Sequence, residues 1–249
     1  MNITSEELNK IITNIDQGYD ESKDKNLETC WEFNPSPFEK HIINEIKKFI
    51  SQKMFQKAIN MTILIMNEKS KYEILGNLLC DYAINNNKDA CIVLMKIGAD
   101  VMYKQYRPFI EACSNNNINI VKVMIEAGVK PSSVPSSLIV SIVNNHATIV
   151  TELIESGVSP NINNGEPLRI CCINGLYNIA HTLISLGADV NLKGNKFILL
   201  ALQHERIDLV KLLIENGYEL VENREKCMQL VNEKGLDEIR DMLNKEIDD

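Results

Sequence analysis

The sequence predicts an all-α fold, a stack of helix pairs built from one unit repeated about every 30 residues. Glycines recur at Gly98, Gly128, Gly157, Gly187 and Gly217, at spacings of 30, 29, 30 and 30. Ahead of each runs an apolar stripe of helical period, and twelve residues ahead stands a residue able to end an earlier helix. Fixed spacing in several columns at once marks supersecondary units that hide their apolar faces against the next copy.

The second helix of each unit is read from the stripe. Four residues before the glycines stand Leu94, Met124, Leu153, Leu183 and Leu213, followed by Met95, Ile125, Ile154, Ile184 and Ile214. Eight before stand Ala90, Ile120, Ile149, Ile179 and Leu209. Intervals of three and four place these side chains on one face of a helix.

The turn between the two helices is read from Asn86, Asn116, Asn145, Gly175 and Glu205. Asn and Gly tolerate the left-handed conformation that ends a helix, so Glu205 is expected to carry strain. The first helix is read from Tyr82, Ala112, Ser141, Cys171 and Ala201, small where two helices approach closely except at Tyr82. Pro108 and Pro167 open two of these first helices, where proline loses no hydrogen bond. The linkers between units, such as "ADVNLKGNK" and "VSPNINNGE", are crowded with turn-forming Asn, Pro, Gly and Ser.

Extending the register places Gly235 at the inner turn of a sixth unit, with Ile239 and Leu243 in its apolar columns. The other faces of that unit are charged, so it reads as a C-terminal cap whose outer side meets water. Upstream, "FEKHIINEIKKFIS" and "MFQKAINMTILIM" make a helix pair without the glycine, a degenerate first repeat or N-terminal cap over 38–67. Residues 1–36 fall outside the register. Ser5 could cap a short helix bearing Leu8, Ile11, Ile12 and Ile15, and the rest reads as an acidic linker, with disorder as an open alternative. The segment holds eight acids against three bases, together with the sole tryptophan in "CWEFNPSPF". The expected division is therefore 1–36 as helix and linker and 37–249 as the repeat stack.

The stretches "GADVN" at 187–191, "NNHATIV" at 144–150 and "IDLVKLLIENG" at 207–217 resemble the ankyrin repeat family, with coverage from about Leu75 to Leu243. The resemblance implies an ankyrin-type helix-turn-helix solenoid with hairpin loops that binds other proteins through its concave face and loop tips. Here the period is about three residues short of that family's, which must shorten the hairpin finger. The family's T-P-L-H is reduced to Pro108 with Phe109 or Pro167 with Leu168.

Composition narrows the function classes. A formal net charge of -8 and a pI near 5.2 argue against a phosphate backbone as partner. Seven cysteines form an odd set without CxxC, which suits a reducing, cytoplasmic environment. No apolar run approaches the ~20 residues of a membrane span, so no membrane role is expected and the protein should be soluble. The 29 Asn with abundant Ile and Lys suggest an AT-rich coding genome, which leaves a host's cytosol open as the location.

No catalytic constellation stands out. His41, His146, His181 and His204 lack HExxH or zinc spacing, and no P-loop, GxGxxG or GxSxG occurs. Cys171 and Cys172 fall in small-residue columns of a helix interior and read as packing. No enzyme activity, cofactor or metal is expected. The expected function is a monomeric, non-catalytic protein-binding module or scaffold. The alternative is an adaptor or host-directed effector whose N-terminal segment recruits other machinery to a target held by the repeats. Candidate binding residues at loop tips and first-helix ends are Tyr103, Tyr106, Arg107, Asn115, Asn144, Asn163, Asn174, Lys193 and His204. Tyr103 and Tyr106 could anchor a partner or cover the neighbouring loop. Val143 and Ile173, in the column that the resemblance assigns to the concave groove, would form an apolar patch there if exposed.

Overall fold

The computed structural model describes residues 34–62, 64–65, 67–192, 196–220 and 224–245. The expected N-terminal helix, the Cys30–Phe33 stretch and Lys193 lie outside them. Among the described residues there are fourteen α-helices and no strand. They group into two compact units, on either side of the Val129–Lys130 bond.

The first unit holds six helices: α1 (Pro37–Ser51), α2 (Phe55–Thr62), α3 (Glu68–Ile84), α4 (Lys88–Lys96), α5 (Tyr103–Ser114) and α6 (Ile118–Glu126). Ser36 caps α1 in a capping box, accepting from the Glu39 N–H while the Glu39 carboxylate accepts from the Ser36 N–H. Helices α1 and α2 pair with one another. Helix α3 packs on α5 and α4 on α6, as first and second helices of stacked pairs should.

Helix α3, at 17 residues, is longer than the other first helices. It is buried from Ile74 to Cys80, with Gly76 facing the Tyr103 ring. The asparagine side chain of Asn117, 5% exposed, reaches from the start of α6 to the carbonyls of Ala83 and Ile84, the latter at 3.0 Å. These carbonyls end α3 and have no helical partner, so the amide satisfies them across the repeat boundary.

The second unit opens with a 3-10 turn at Pro131–Ser133. It then pairs α7 (Ser136–Val143) with α8 (Ala147–Glu155), α9 (Ile162–Asn174) with α10 (Tyr177–Ser185), α11 (Phe197–Gln203) with α12 (Ile207–Glu215), and α13 (Arg224–Glu233) with α14 (Asp237–Lys245). First helices pack on first helices and second on second, in chain order. Ile149, Val150, Leu153, Ile179, Ala180 and Leu183 are fully buried between the layers. Each large aliphatic side chain so hidden contributes about 1.5–3 kcal/mol.

Two left-handed turns hold each helix pair from α3–α4 to α11–α12. The inner-turn residues take φ of 55 at Asn86, 59 at Asn116, 60 at Asn145, 76 at Gly175, 58 at Glu205 and 64 at Gly235. The N–H of the following residue then bonds the carbonyl five positions back: Asn117 to Ala112, His146 to Ser141, Leu176 to Cys171 and Arg206 to Ala201. The closing glycines repeat the device, with Ala99 bonding Leu94, Val129 bonding Met124 and Ala188 bonding Leu183. This Schellman geometry needs one left-handed residue per helix end, which the glycine column supplies. Glu205 takes the same conformation without being Gly or Asn, as the sequence implied, and its carboxylate pairs with Lys234 of the next unit.

The linkers are turns. Lys104, Gln105 and Tyr106 are all left-handed (φ 43, 60 and 64), and so are Asn163, Asn164 and Gly165 (φ 48, 57 and 78). Each run makes a tight left-handed turn from which Pro108 and Pro167 open the helix proper. Asn161 and Asn191 tie successive linkers together. The Asn161 amide donates to the Gly187 carbonyl at 3.0 Å and accepts from the Asp189 N–H at 2.9 Å. Asn191 makes the same pair with Gly217 and Glu219, at 2.7 and 2.8 Å.

Candidate protein-binding surface

A binding surface on stacked helix pairs has to be found among side chains that the stacking leaves uncovered. In the second unit a repeated set of these lies at the C-terminal ends of the first helices. Val143, the last residue of α7, is 59% exposed although its neighbour Ile142 is fully buried. Asn144 beyond it is exposed, as are Asn174, the last residue of α9, and Gln203 and His204 at the end of α11, while Ile173 is half-buried. The structure thus brings Asn144, Asn174 and His204 to equivalent places on three successive pairs, with Val143 and Ile173 beside two of them.

The asparagines also have an internal task. The side-chain amide of each donates to the carbonyl four residues back: Asn85 to Asp81, Asn115 to Glu111, Asn144 to Val140 and Asn174 to Ile170, at 2.7 to 3.1 Å. Asn85, Asn115 and Asn144 are C-caps and Asn174 precedes the Gly175 cap, and the sequence signal for this was Asn directly before each left-handed residue. Asn163 is exposed but belongs to the left-handed linker turn, away from the helix ends.

In the first unit the candidates separate. Tyr103 is fully buried: its ring lies against Gly76, edge-on to Tyr72 at 5.1 Å, and its hydroxyl donates to Glu73 at 2.7 Å. Burial first, then the Glu73 carboxylate, pushes its phenol well above the ordinary value. Of the two readings of this tyrosine, the structure shows the packed one. Tyr106 and Arg107 are half-buried at the start of α5, with Arg107 paired to Glu111 at 3.5 Å. Asn115 is exposed at the other end of that helix, eight residues and so about 12 Å away.

The sequence did not single out Tyr177, 41% exposed, whose ring lies 6.4 Å from that of His181. It borders a shallow cleft shared with Asp208, Lys211, Leu212 and Glu215 on the second-helix face. An aromatic opening a second helix, in the column of Lys88, Ile118, Ala147 and Ile207, was the available signal.

Nucleophiles are shielded. The six described cysteines are buried, and burial pushes Cys91 and Cys172 up to about 12 and Cys227 to about 11. Cys171 and Cys172 pack in the interior with no exposed surface. Among the described residues no group of three or more His, Cys, Asp or Glu is placed to hold a metal ion, and no helix is long and apolar enough to cross a membrane.

Comparison with known proteins agrees with the geometry. Residues 138–224 match the family model for ankyrin repeats in three copies, spanning α7 to the start of α13. No curated protein matches the chain. Ankyrin repeats are in general protein–protein interaction modules and the fold is typically non-catalytic. Residues 138–224, three helix pairs closed by left-handed turns, are similar to ankyrin repeats.

Proposed function

We propose that this chain is a non-catalytic cytoplasmic binding module whose second unit holds a protein partner against the ends of its first helices. Val143, Asn144, Ile173, Asn174, Gln203 and His204 form the contact; Asn163 belongs to a linker turn away from it, and Lys193 lies outside the described residues. The observation that carries the reading is Val143, an apolar side chain left 59% exposed at the end of a helix in which Leu138 and Ile142 are fully buried. None of the six contact residues carries a fixed charge. The partner would therefore present an apolar side chain to Val143 and Ile173, with amide groups around it. Helix pairs closed by two hydrogen-bonded turns are already ordered, so little conformational entropy is lost on binding. In the first unit Tyr106, Arg107 and Asn115 are the exposed or half-exposed candidates; Tyr103 is left out because its side chain is covered.

Affinity purification from cell lysate with quantitative mass spectrometry tests the reading. Val143→Asp, and separately Asn174→Ala with His204→Ala, should each reduce recovery of the specific partner at least tenfold, about 1.4 kcal/mol, whereas Tyr177→Ala should not. Recovery unchanged in both, with helical content intact, would overturn the surface assignment. The adaptor reading draws on the sequence of residues 1–36 alone, and their deletion separates the two: a plain module keeps its partner and its cellular output, an adaptor keeps the partner and loses the output.

A further inference from the structure

The first unit has two uncovered apolar side chains, one in contact with Tyr103 and one beside it in sequence, that the proposed function does not use. Tyr72 of α3 is 42% exposed and Met102, before α5, is 53% exposed. Both sit on a fixed base. The Tyr72 ring meets the Tyr103 ring edge-on at 5.1 Å, and Tyr103, which follows Met102 in the chain, is held by Gly76 and by Glu73. Lys104 stands 5.3 Å from the Tyr103 ring centroid and 3.6 Å from Glu73. The surface therefore keeps its shape without an occupant.

We propose that this surface docks the chain's own acidic segment around residues 28–33, with the Trp31 indole as anchor. Reach allows it. The segment joins the unit at Ser36, and Glu39, which closes the capping box with Ser36, also bonds the Ser70 side chain in the first turns of α3. Five extended residues from Ser36 back to Trp31 span up to ~17 Å. Rounding a helix ~10 Å across, from the Ser70 side of α3 to the Tyr72 side, takes an arc of ~16 Å, which that span covers.

Charge selects this unit over the other. Residues 1–36 carry a net charge of -5. Residues 37–129 hold twelve bases against nine acids, and 130–249 hold eleven bases against seventeen acids. An acidic segment is thus drawn to the first unit and repelled by the second. Glu28 and Glu32 bracket Trp31; Lys69 and Lys71 precede Tyr72 on the turn to be crossed, where Glu68 and Glu73 also stand, the latter bonded to Tyr103 and Lys104. An indole placed over a tyrosine edge and a thioether gains aromatic and sulfur–aromatic contacts in addition to burial.

The chain has one tryptophan, so the fluorescence of the full-length protein reports Trp31 alone. The expected emission is blue-shifted from that of N-acetyl-tryptophanamide, with reduced quenching by acrylamide. Tyr72→Ser and, separately, Met102→Ser should shift it to the red and raise the quenching constant several-fold while circular dichroism stays unchanged. Added salt should do the same in the wild type, because the attraction is between exposed charges. A wild-type emission equal to that of the free amide would overturn the proposal. So would a blue shift indifferent to both substitutions, which would put the indole elsewhere. A blue shift lost on dilution would overturn it too, since a second copy would then supply the surface.

Discussion

Replacing Gly76 by alanine tests whether α3 and α5 meet as closely as the structure shows. Gly76 lies in mid-helix, where alanine is ordinarily the better residue by about 1 kcal/mol. Here an added Cβ would stand 2.6 Å from Tyr103 Cε2 and closer still to Cγ and Cδ2. Carbon atoms prefer about 3.5–4.0 Å, so the overlap is about 1 Å or more. The ring cannot swing aside freely, because it is fully buried and its hydroxyl is bonded to Glu73. Overpacking of this kind costs about 1–3 kcal/mol, and straining the hydrogen bond to a carboxylate about 1 kcal/mol more. Set against the propensity gain, Gly76→Ala should destabilise the first unit by about 2 kcal/mol. In a Tyr103→Ala background the obstacle is gone, and the same change should stabilise by about 1 kcal/mol. The coupling in the double-mutant cycle is then about 3 kcal/mol. Urea unfolding followed by circular dichroism measures all four variants. Sucrose can be added if Tyr103→Ala, which costs about 3–5 kcal/mol, leaves too short a folded baseline. Gly76→Ala neutral or stabilising in the wild-type background would refute the close approach.

The left-handed turns predict a reversal of the usual glycine rule: Glu205→Gly should raise the melting temperature although it breaks the pair with Lys234, while Gly175→Ala, at φ 76 with its Cβ 3.0 Å from Arg206, should cost about 1–2 kcal/mol. Asn191→Ala removes both hydrogen bonds to the next linker and should cost about 1–2 kcal/mol in urea unfolding, whereas Lys196→Ala nearby should change little. Hydrogen bonds from Arg169 hold the Glu166 carboxyl below its usual 4.5 against partial desolvation. A depressed folded value means that Glu166 contributes its stability fully above pH 4.5 and loses it as pH falls through the folded value, so Glu166→Gln should lower stability slightly at neutral pH, flatten acid unfolding in that window and match the wild type below it.

The register could be read from the sequence because it is enforced by backbone sterics. A helix end closed by a bond five residues back admits one left-handed residue, and few side chains tolerate it. The column at Asn86, Asn116, Asn145, Gly175 and Glu205 therefore survives even where the interior varies. The binding surface was harder to read. Exposed asparagines at repeated positions suggest recognition, yet the amides of Asn115, Asn144 and Asn174 are bonded to their own helices. Periodicity reports a column but not whether its polar groups point inward to the backbone or outward to a partner. Tyr103 misled for a related reason. A tyrosine in a polar linker looks like an anchor, and only the mid-helix glycine in "EILGNLLC" hinted at a ring waiting to fill that place.

The one irregular spacing shows where such a chain can lose a residue. From each inner-turn residue to its closing glycine the count is twelve throughout, at 86 to 98, 116 to 128, 145 to 157, 175 to 187 and 205 to 217. The missing residue, between Gly128 and Gly157, must therefore lie before Asn145. Losing it from the second helix would turn Ile149, Val150 and Leu153 away from the interior, about 100° per residue, and expose side chains that are now fully buried. In a linker the loss only changes the turn. Around Lys104–Tyr106 and Asn163–Gly165 three left-handed residues reverse the chain; after Gly128, Pro131–Ser133 does so in a 3-10 turn with no left-handed residue of its own. Packing fixes the length of the helix pair and leaves the linkers to vary, so linker length and sequence are where one such repeat can come to differ from the next in what it binds.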